Sequence, residues 1–232
     1  MDELINVAQY NLNEIFKIPG LHPALTTINI TYILMTWAVM AILIIFAYFA
    51  TKKASLIPHP VQVAAELLVT MFYNLTVDAL EEERAKKYFP MICTLFMFLL
   101  LCNWIGVIPV CAEPTRDLNT TLGLGLFGGV VAHYSGIRAK GFKGYLKEYC
   151  SPMWFMFPLN VIGELAKVVS ISFRLYGNIL GGAIIIVVVS DLARYQVFPW
   201  LLGVPFFGLF VGAIQAFVFT MLTLVYISLM VK

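Results

Sequence analysis

Residues 152–189, PMWFMFPLNVIGELAKVVSISFRLYGNILGGAIIIVVV, form a nearly continuous apolar stretch of 38 residues. A helix that crosses the hydrocarbon core of a membrane needs about 20 mostly apolar residues, so this stretch exceeds what a perpendicular crossing can use. A second stretch of 34 residues, 198–231, is equally apolar. Both stretches are therefore predicted to be long membrane helices that tilt steeply, kink or run partly along a partner.

The composition of the whole chain agrees with a membrane protein. Of its 232 residues, 61% are hydrophobic and 12% are charged, whereas a typical soluble domain has about 25% charged residues. The mean hydropathy of +0.88 leaves too little polar surface to coat a water-soluble globule. A soluble enzyme, a nucleic-acid-binding protein and a disordered linker are excluded on this basis.

Three shorter apolar stretches complete a prediction of about five transmembrane helices in a single polytopic domain, residues 1–232. Residues 28–50 and 88–111 are uncharged, and residues 118–134 are glycine-rich and precede a basic loop. Residues 60–87 mix polar positions with apolar ones spaced by three and four, which favours an amphipathic helix at the membrane surface over a solvated face. The predicted fold class is therefore an all-α membrane protein with one interfacial helix.

The basic residues predict the orientation, because cytoplasmic loops of membrane proteins carry an excess of Lys and Arg. With five crossings, ten of the fifteen Lys and Arg residues fall on one side. Lys17, Arg116 and Arg194 lie on the opposite side, and Lys167 and Arg174 lie within the membrane. The prediction is an external N-terminus and a cytoplasmic C-terminus.

Arg174 is the charge that simple packing explains least. A charge at the centre of a bilayer costs about 2.5–3.5 kcal/mol on insertion scales, and a guanidinium keeps its proton. Glu164 is the one acid in residues 152–189, and it lies ten residues, or about 15 Å of helical rise, before Arg174. Lys167, three residues after Glu164, is the better placed partner. Arg174 is therefore predicted to receive its counter-charge from another subunit.

A polar stripe runs along the same helix. At 100° per residue, five positions all lie within about 40° of one common direction on the helix surface. The alternative interpretation is a polar seam that packs one helix against another within the subunit, since Ser, Asn and Gly are common at such contacts. That alternative accounts poorly for a permanent cation. The stripe consists of Lys167, Ser170, Arg174, Asn178 and Gly181.

Five sequence blocks together are highly specific. Their residue types, order and spacing closely resemble the F-type ATP synthase subunit a family, over essentially all of the chain from about residue 28. The blocks are residues 103–109 (NWIGVIP), 114–122 (PTRDLNTTL), 158–167 (PLNVIGELAK), 170–178 (SISFRLYGN) and 215–223 (QAFVFTMLT).

The resemblance implies a stator subunit, not catalytic by itself, that holds two offset aqueous half-channels against a rotating ring of c subunits. Arg174 resembles the essential arginine that exchanges H⁺ or Na⁺ with the carboxylate of the ring and so couples ion flow to ATP synthesis. The implied partners are the c-subunit ring, peripheral-stalk b subunits, other synthase subunits and the lipid bilayer. The implied location is a bacterial cell membrane. The candidate ion-translocation residues are Arg174, Gln215, Asn178, Ser170, Lys167, Glu164, Asn119 and Asp117.

Two positions depart from the family pattern. Ala183 stands where many relatives carry an acid, and Gly208 stands where others carry an acid or a histidine. Oxygen-bearing side chains without a titrating carrier suit a hydrated cation as well as a proton, so both H⁺ and Na⁺ remain open as the coupling ion. No cofactor, metal or nucleic acid is expected. The alternative function is a stand-alone secondary transporter, a class that commonly shows repeated halves, and no repeat is evident here.

Overall fold

A computed structural model describes residues 9–11, 27–52, 60–108, 111–149, 155, 157–192 and 204–231. Six helices make up most of this part of the chain. Two three-residue strands, β1 Gln9–Asn11 and β2 Thr27–Asn29, form an antiparallel pair before the first helix. The helices are α1 Ile30–Lys52, α2 Pro60–Leu80, α3 Glu82–Trp104, α4 Leu118–Tyr149, α5 Phe157–Leu192 and α6 Gly212–Val231.

The predicted all-α membrane class is confirmed. Five helices of the described part are long and apolar enough to cross a membrane, although they are not the five that the sequence predicts. The predicted crossing at residues 118–134 is absent from this set, and residues 62–80 take its place. The five segments are Thr31–Lys52, Gln62–Leu80, Glu82–Val107, Phe157–Val189 and Gly208–Val231.

The predicted amphipathic helix over residues 60–87 is wrong in its extent. It breaks at Glu81, whose φ of 65° lies in a region that side-chain-bearing residues seldom adopt. The charge run that follows forms the first turns of α3. One face of α2 is buried, where Phe72 packs on Phe96 of α3 with ring centroids 4.4 Å apart. Length and hydropathy fit a crossing as well as a surface position, so the interfacial placement of α2 stays a prediction.

Helix α4 is longer than the sequence predicts. The expected basic loop after residue 134 is helical, and Arg138, Lys140 and Lys143 lie on α4. The chain turns instead at Gly141, which has φ 72° and ψ 157°. A glycine adopts this backbone conformation without steric cost, so it divides α4 where another residue would be strained.

The glycines of α4 allow close packing against the two long helices. A Cβ at Gly129 would lie 2.8 Å from a methyl carbon of Val168 on α5, and one at Gly128 would lie 3.2 Å from Thr223 on α6. Small residues at such contacts let helix backbones approach in membranes. The weak hydropathy of this helix therefore reflects a packing surface shared with α5 and α6.

The long final helices are confirmed with shifted ends. Helix α5 has 36 residues, which gives about 54 Å of rise against a hydrocarbon core of about 30 Å. The predicted break at residues 190–199 begins later, because α5 continues to Leu192, and the rest of that break lies outside the described residues. Residues 198–203 of the second stretch lie outside the described residues, and from Val204 a π-helical segment, Val204–Val211, leads into α6.

A buried polar clamp joins the end of α3 to the start of α6. Asn103, which is 1% exposed, donates from Nδ2 to the carbonyl oxygen of Gly212 at 2.7 Å. The hydroxyl of Thr115 donates to Asn103 Oδ1 at 2.8 Å, and Trp104 Nε1 donates to the carbonyl oxygen of Leu209 at 3.1 Å. Side chains that insert into a helical ladder in this way are a known cause of π turns and bends. The clamp fixes the position of the π-helical segment.

We expect Asn103→Ala to lower the free energy of unfolding by about 1–3 kcal/mol, because it removes both hydrogen bonds of a buried side chain and leaves the buried Thr115 hydroxyl without its acceptor. Denaturant titration in mixed micelles measures the change. Thr94→Ala is the control, because Thr94 is exposed and bonds only within its own helix, to the carbonyl oxygen of Pro90. Equal effects of the two substitutions would contradict a stabilising clamp.

Candidate functional site

Arg174 lies on an open face of α5. Its side chain is exposed, as are those of Ser170 and Asn178 one turn to either side. A Cβ built at Gly177 or Gly181 meets no other atom within 4 Å, so this face is not covered by the described helices. The side of α5 that packs into the core is instead lined by Ile171, Leu175 and Ile179.

Arg174 has no hydrogen bond or ion pair with any described residue of its own chain. The predicted partner of Lys167 is confirmed, since its Nζ lies 2.6 Å from Oε1 of Glu164. The Lys167 ammonium also lies 5.5 Å from the ring centroid of Tyr226 on α6. Glu164 and Lys167 therefore neutralise each other, and the charge of Arg174 stays uncompensated within the described part of the chain.

A cavity of about 380 Å³ opens beside the part of the polar stripe that contains Asn178, away from Lys167. Asn178 lines it, and Asn178 follows Arg174 by four residues, or about 6 Å of helical rise. Along α5, the cavity therefore reaches to within about one helical turn of the Arg174 backbone. Its walls come from α5, from the turns between α3 and α4, and from the π-helical segment: Gly106, Val107, Ile108, Cys111, Ala112, Glu113, Arg116, Asn178, Ile179, Gly182, Ala183, Ile186, Val187 and Gly208.

The two departures from the family pattern meet in this cavity. Ala183 and Gly208 both line it, although 25 residues separate them in sequence. Glu113 lines the same cavity, and sequence reasoning missed it. The family resemblance points to positions 183 and 208 for a titratable group, and Glu113 lies at neither. The available signal was an acid directly between an apolar stretch and Pro114.

Burial raises the pKa of the Glu113 carboxyl to about 6, and the nearby positive charge of Arg116 opposes this rise. Gly106 makes room for the side chain, because a Cβ at Gly106 would overlap the Glu113 side chain. The group thus titrates much closer to neutral pH than an ordinary glutamate. A carboxyl in this range both accepts and releases protons readily.

The other predicted residues occupy separate places. Asp117 precedes α4, where its carbonyl oxygen accepts from the Thr121 N–H at 3.2 Å and its Oδ1 accepts from the Asn119 N–H at 3.3 Å. The residues that line the cavity do not include Asp117 or Asn119. Gln215 is half-buried on α6, and no hydrogen bond joins it to Arg174 among the described residues. The structure therefore brings only Asn178 of the predicted set to the cavity wall.

The sequence model of the ATP synthase A chain family matches residues 33–228. The chain is 38% identical to ATP synthase subunit a of Moorella thermoacetica over 195 residues, which cover 83% of this chain and 87% of the relative. It is 36% identical to ATP synthase subunit a of Helicobacter hepaticus over 198 residues, 83% of this chain and 85% of the relative. Subunit a of Aliarcobacter butzleri is 38% identical over 196 residues, 82% and 84% of the two chains.

If water fills the cavity, a cysteine in its wall forms the reactive thiolate. We expect Ala183→Cys, in a variant whose native cysteines are replaced, to react several-fold faster with a charged thiol reagent than Ile184→Cys. Ile184 is the matched control, because it is the next residue and lies on the apolar outer surface, 52% exposed. Mass spectrometry of the labelled chain gives the two rates, and equal rates would contradict an aqueous cavity.

Proposed function

The chain belongs to the ATP synthase subunit a family, and we propose that it is the ion-translocating stator subunit of an F-type ATP synthase. It is a multi-pass membrane subunit of that complex, and other synthase subunits are its partners. The finer proposal concerns the role of the chain, its contacts and its location. The chain is not catalytic by itself, it faces the c-subunit ring, and it contacts peripheral-stalk b subunits and lipid elsewhere. It lies in a bacterial cell membrane with its N-terminus external and its C-terminus cytoplasmic.

The observation that carries the proposal is the charge of Arg174, which lies on an open helix face and has no compensating charge among the residues that the structure describes. In the proposed mechanism, each c subunit brings a carboxylate that must be neutralised, by a bound ion, to face lipid. When that carboxylate passes Arg174, the fixed positive charge favours its ionised form and the ion leaves. The same charge repels cations and so prevents a direct leak between the two sides.

Two polar regions lie on opposite sides of Arg174 along α5, which supports two offset half-channels. The cavity begins one turn toward the end of α5. The pair of Glu164 and Lys167 lies toward its start, and Lys167 is seven residues, or about 10 Å of rise, from Arg174. Ions that enter on one side of Arg174 and leave on the other make rotation directional. The membrane potential then contributes about 2.3 kcal/mol per charge per 100 mV.

The polar neighbours of Arg174 have supporting roles in this proposal. Ser170 and Asn178 are exposed on the same face, so they lie where the ring carboxylate would pass. Gln215 orients the guanidinium from α6 once the rotor is in place. A stand-alone transporter would instead need an acid in its own chain to exchange with Arg174, and the described part offers none paired with it.

We expect Arg174→Gln to reduce ATP synthesis to background while the complex remains assembled, because the neutral side chain no longer favours the ionised carboxylate of the ring. Synthesis by inverted membrane vesicles and native gel electrophoresis measure the two properties. Arg138→Gln is the matched control, since Arg138 is exposed on α4 outside the stripe. Substantial synthesis by an assembled Arg174→Gln complex would rule out the proposed role.

The coupling ion is proposed to be the proton, because the cavity contains a carboxyl that titrates near neutral pH. We expect ATP hydrolysis by the purified complex at alkaline pH to be indifferent to sodium at constant ionic strength. Sodium should also give the ring carboxylate no protection from carbodiimide. Stimulation and protection by sodium, with potassium as the control cation, would establish the sodium alternative.

A further inference from the structure

We propose that Glu113 is the proton-exchanging group of the cavity and replaces the titratable side chains that this chain lacks at Ala183 and Gly208. The inference rests on the proposed function, and it adds a residue outside the membrane helices to the external proton path. Glu113, Ala183 and Gly208 all line the same cavity. A carboxyl at Glu113 can therefore exchange protons with the same water as a carboxyl at either of the other two positions.

The surroundings of Glu113 favour exchange with water over a structural ion pair. It lies on the short segment between the two 3₁₀ turns, Ile105–Val107 and Pro114–Arg116. Its backbone carbonyl oxygen accepts from the Arg116 N–H at 3.1 Å, but its carboxylate forms no hydrogen bond or salt bridge with another described residue. Its side chain rests against Gly106, where any larger residue would displace it. A half-buried carboxyl without a fixed partner, beside a cavity, is available to bind and release protons.

The charged and titratable groups around Glu113 come from three elements. Arg116 lies on the following turn and stabilises the carboxylate form. Tyr32 of α1 lies within electrostatic reach of Glu113, Arg116 and Asp117. Cys111 shares the cavity wall, whereas α5 contributes the polar but non-titrating Asn178. Glu113 is therefore the acid of this cavity wall. The positive charge of Arg116 favours release of the proton from the Glu113 carboxyl.

The transfer step is balanced without any further reactant. The Glu113 carboxylate accepts a proton from a hydronium ion on the external side, which leaves water and a neutral carboxylic acid. The acid then gives that proton to water in the cavity toward Asn178, and the carboxylate is restored. Since the pKa of about 6 lies near ambient pH, neither uptake nor release is strongly uphill.

The test uses the assembled synthase carrying Glu113→Gln. We expect passive proton flux through the membrane sector, measured with a pH-sensitive dye after removal of the catalytic head, to fall about 100-fold, the lower end of the contribution of a positioned proton-transfer group. Asp191→Asn is the matched control, because Asp191 is an exposed acid near the same end of α5 and does not line the cavity. Flux in the Asp191→Asn complex should equal that of the parent.

A rescue variant separates proton exchange from a structural role. Adding Ala183→Glu to Glu113→Gln returns a carboxyl to the same cavity, and we expect it to recover a large part of the flux. Parent-like flux in Glu113→Gln overturns the inference, as does a loss that Ala183→Glu leaves unchanged. If Glu113→Gln fails to assemble, Glu113→Asp decides the matter. A shifted pH dependence of flux supports exchange at this position, and an unchanged one overturns it.

The Arg174→Gln complex keeps this inference distinct from the proposed function. Loss of synthesis in Arg174→Gln together with parent-like flux in Glu113→Gln removes only the role of Glu113. Retained synthesis in an assembled Arg174→Gln complex removes the proposed function itself, whatever Glu113→Gln does.

Discussion

The arrangement depends on one permanent positive charge, that of Arg174, which no residue in the described part of the chain neutralises. Arg174 stays exposed on α5 because the acid of its stretch, Glu164, is held 2.6 Å from Lys167. A charge left open in an apolar setting is costly, so it is retained where a function requires it. A partner that presents a carboxylate to this face would offset the cost at each encounter. That requirement supports the proposed stator role.

The rest of the fold keeps that face open and places a cavity beside it. The glycines of α4 allow α5 and α6 to pack closely against α4. The hydrogen bonds of Asn103 hold the π-helical segment in place. That segment carries Gly208 into the cavity wall opposite Ala183. With no side chain at Gly208 and a methyl at Ala183, the cavity has room for water, and Glu113 supplies the carboxyl at its edge.

Features that depend on local sequence were predictable, and features that depend on packing between distant segments were not. The lengths of the long helices and the i, i+3 pair of Glu164 and Lys167 follow from helical geometry alone. The break at Glu81 contradicts local propensity, since a glutamate there adopts φ 65°. Glu113 and Ala183 line one cavity only because separate segments of the chain pack together, and a single sequence carries no record of that packing. The proposal that the proton is the coupling ion depends on this packing, because the packing places the Glu113 carboxyl beside the cavity.

An experimental structure of the assembled synthase tests the central claim most directly, through the surroundings of the Arg174 guanidinium. The account predicts that the face with Ser170, Arg174 and Asn178 lies against the c ring, with a ring carboxylate within about 4–6 Å of Arg174, the range in which an opposite charge favours ionisation. A face covered by lipid or a peripheral-stalk helix, or an Arg174 paired permanently with an acid of another stator subunit, would contradict it.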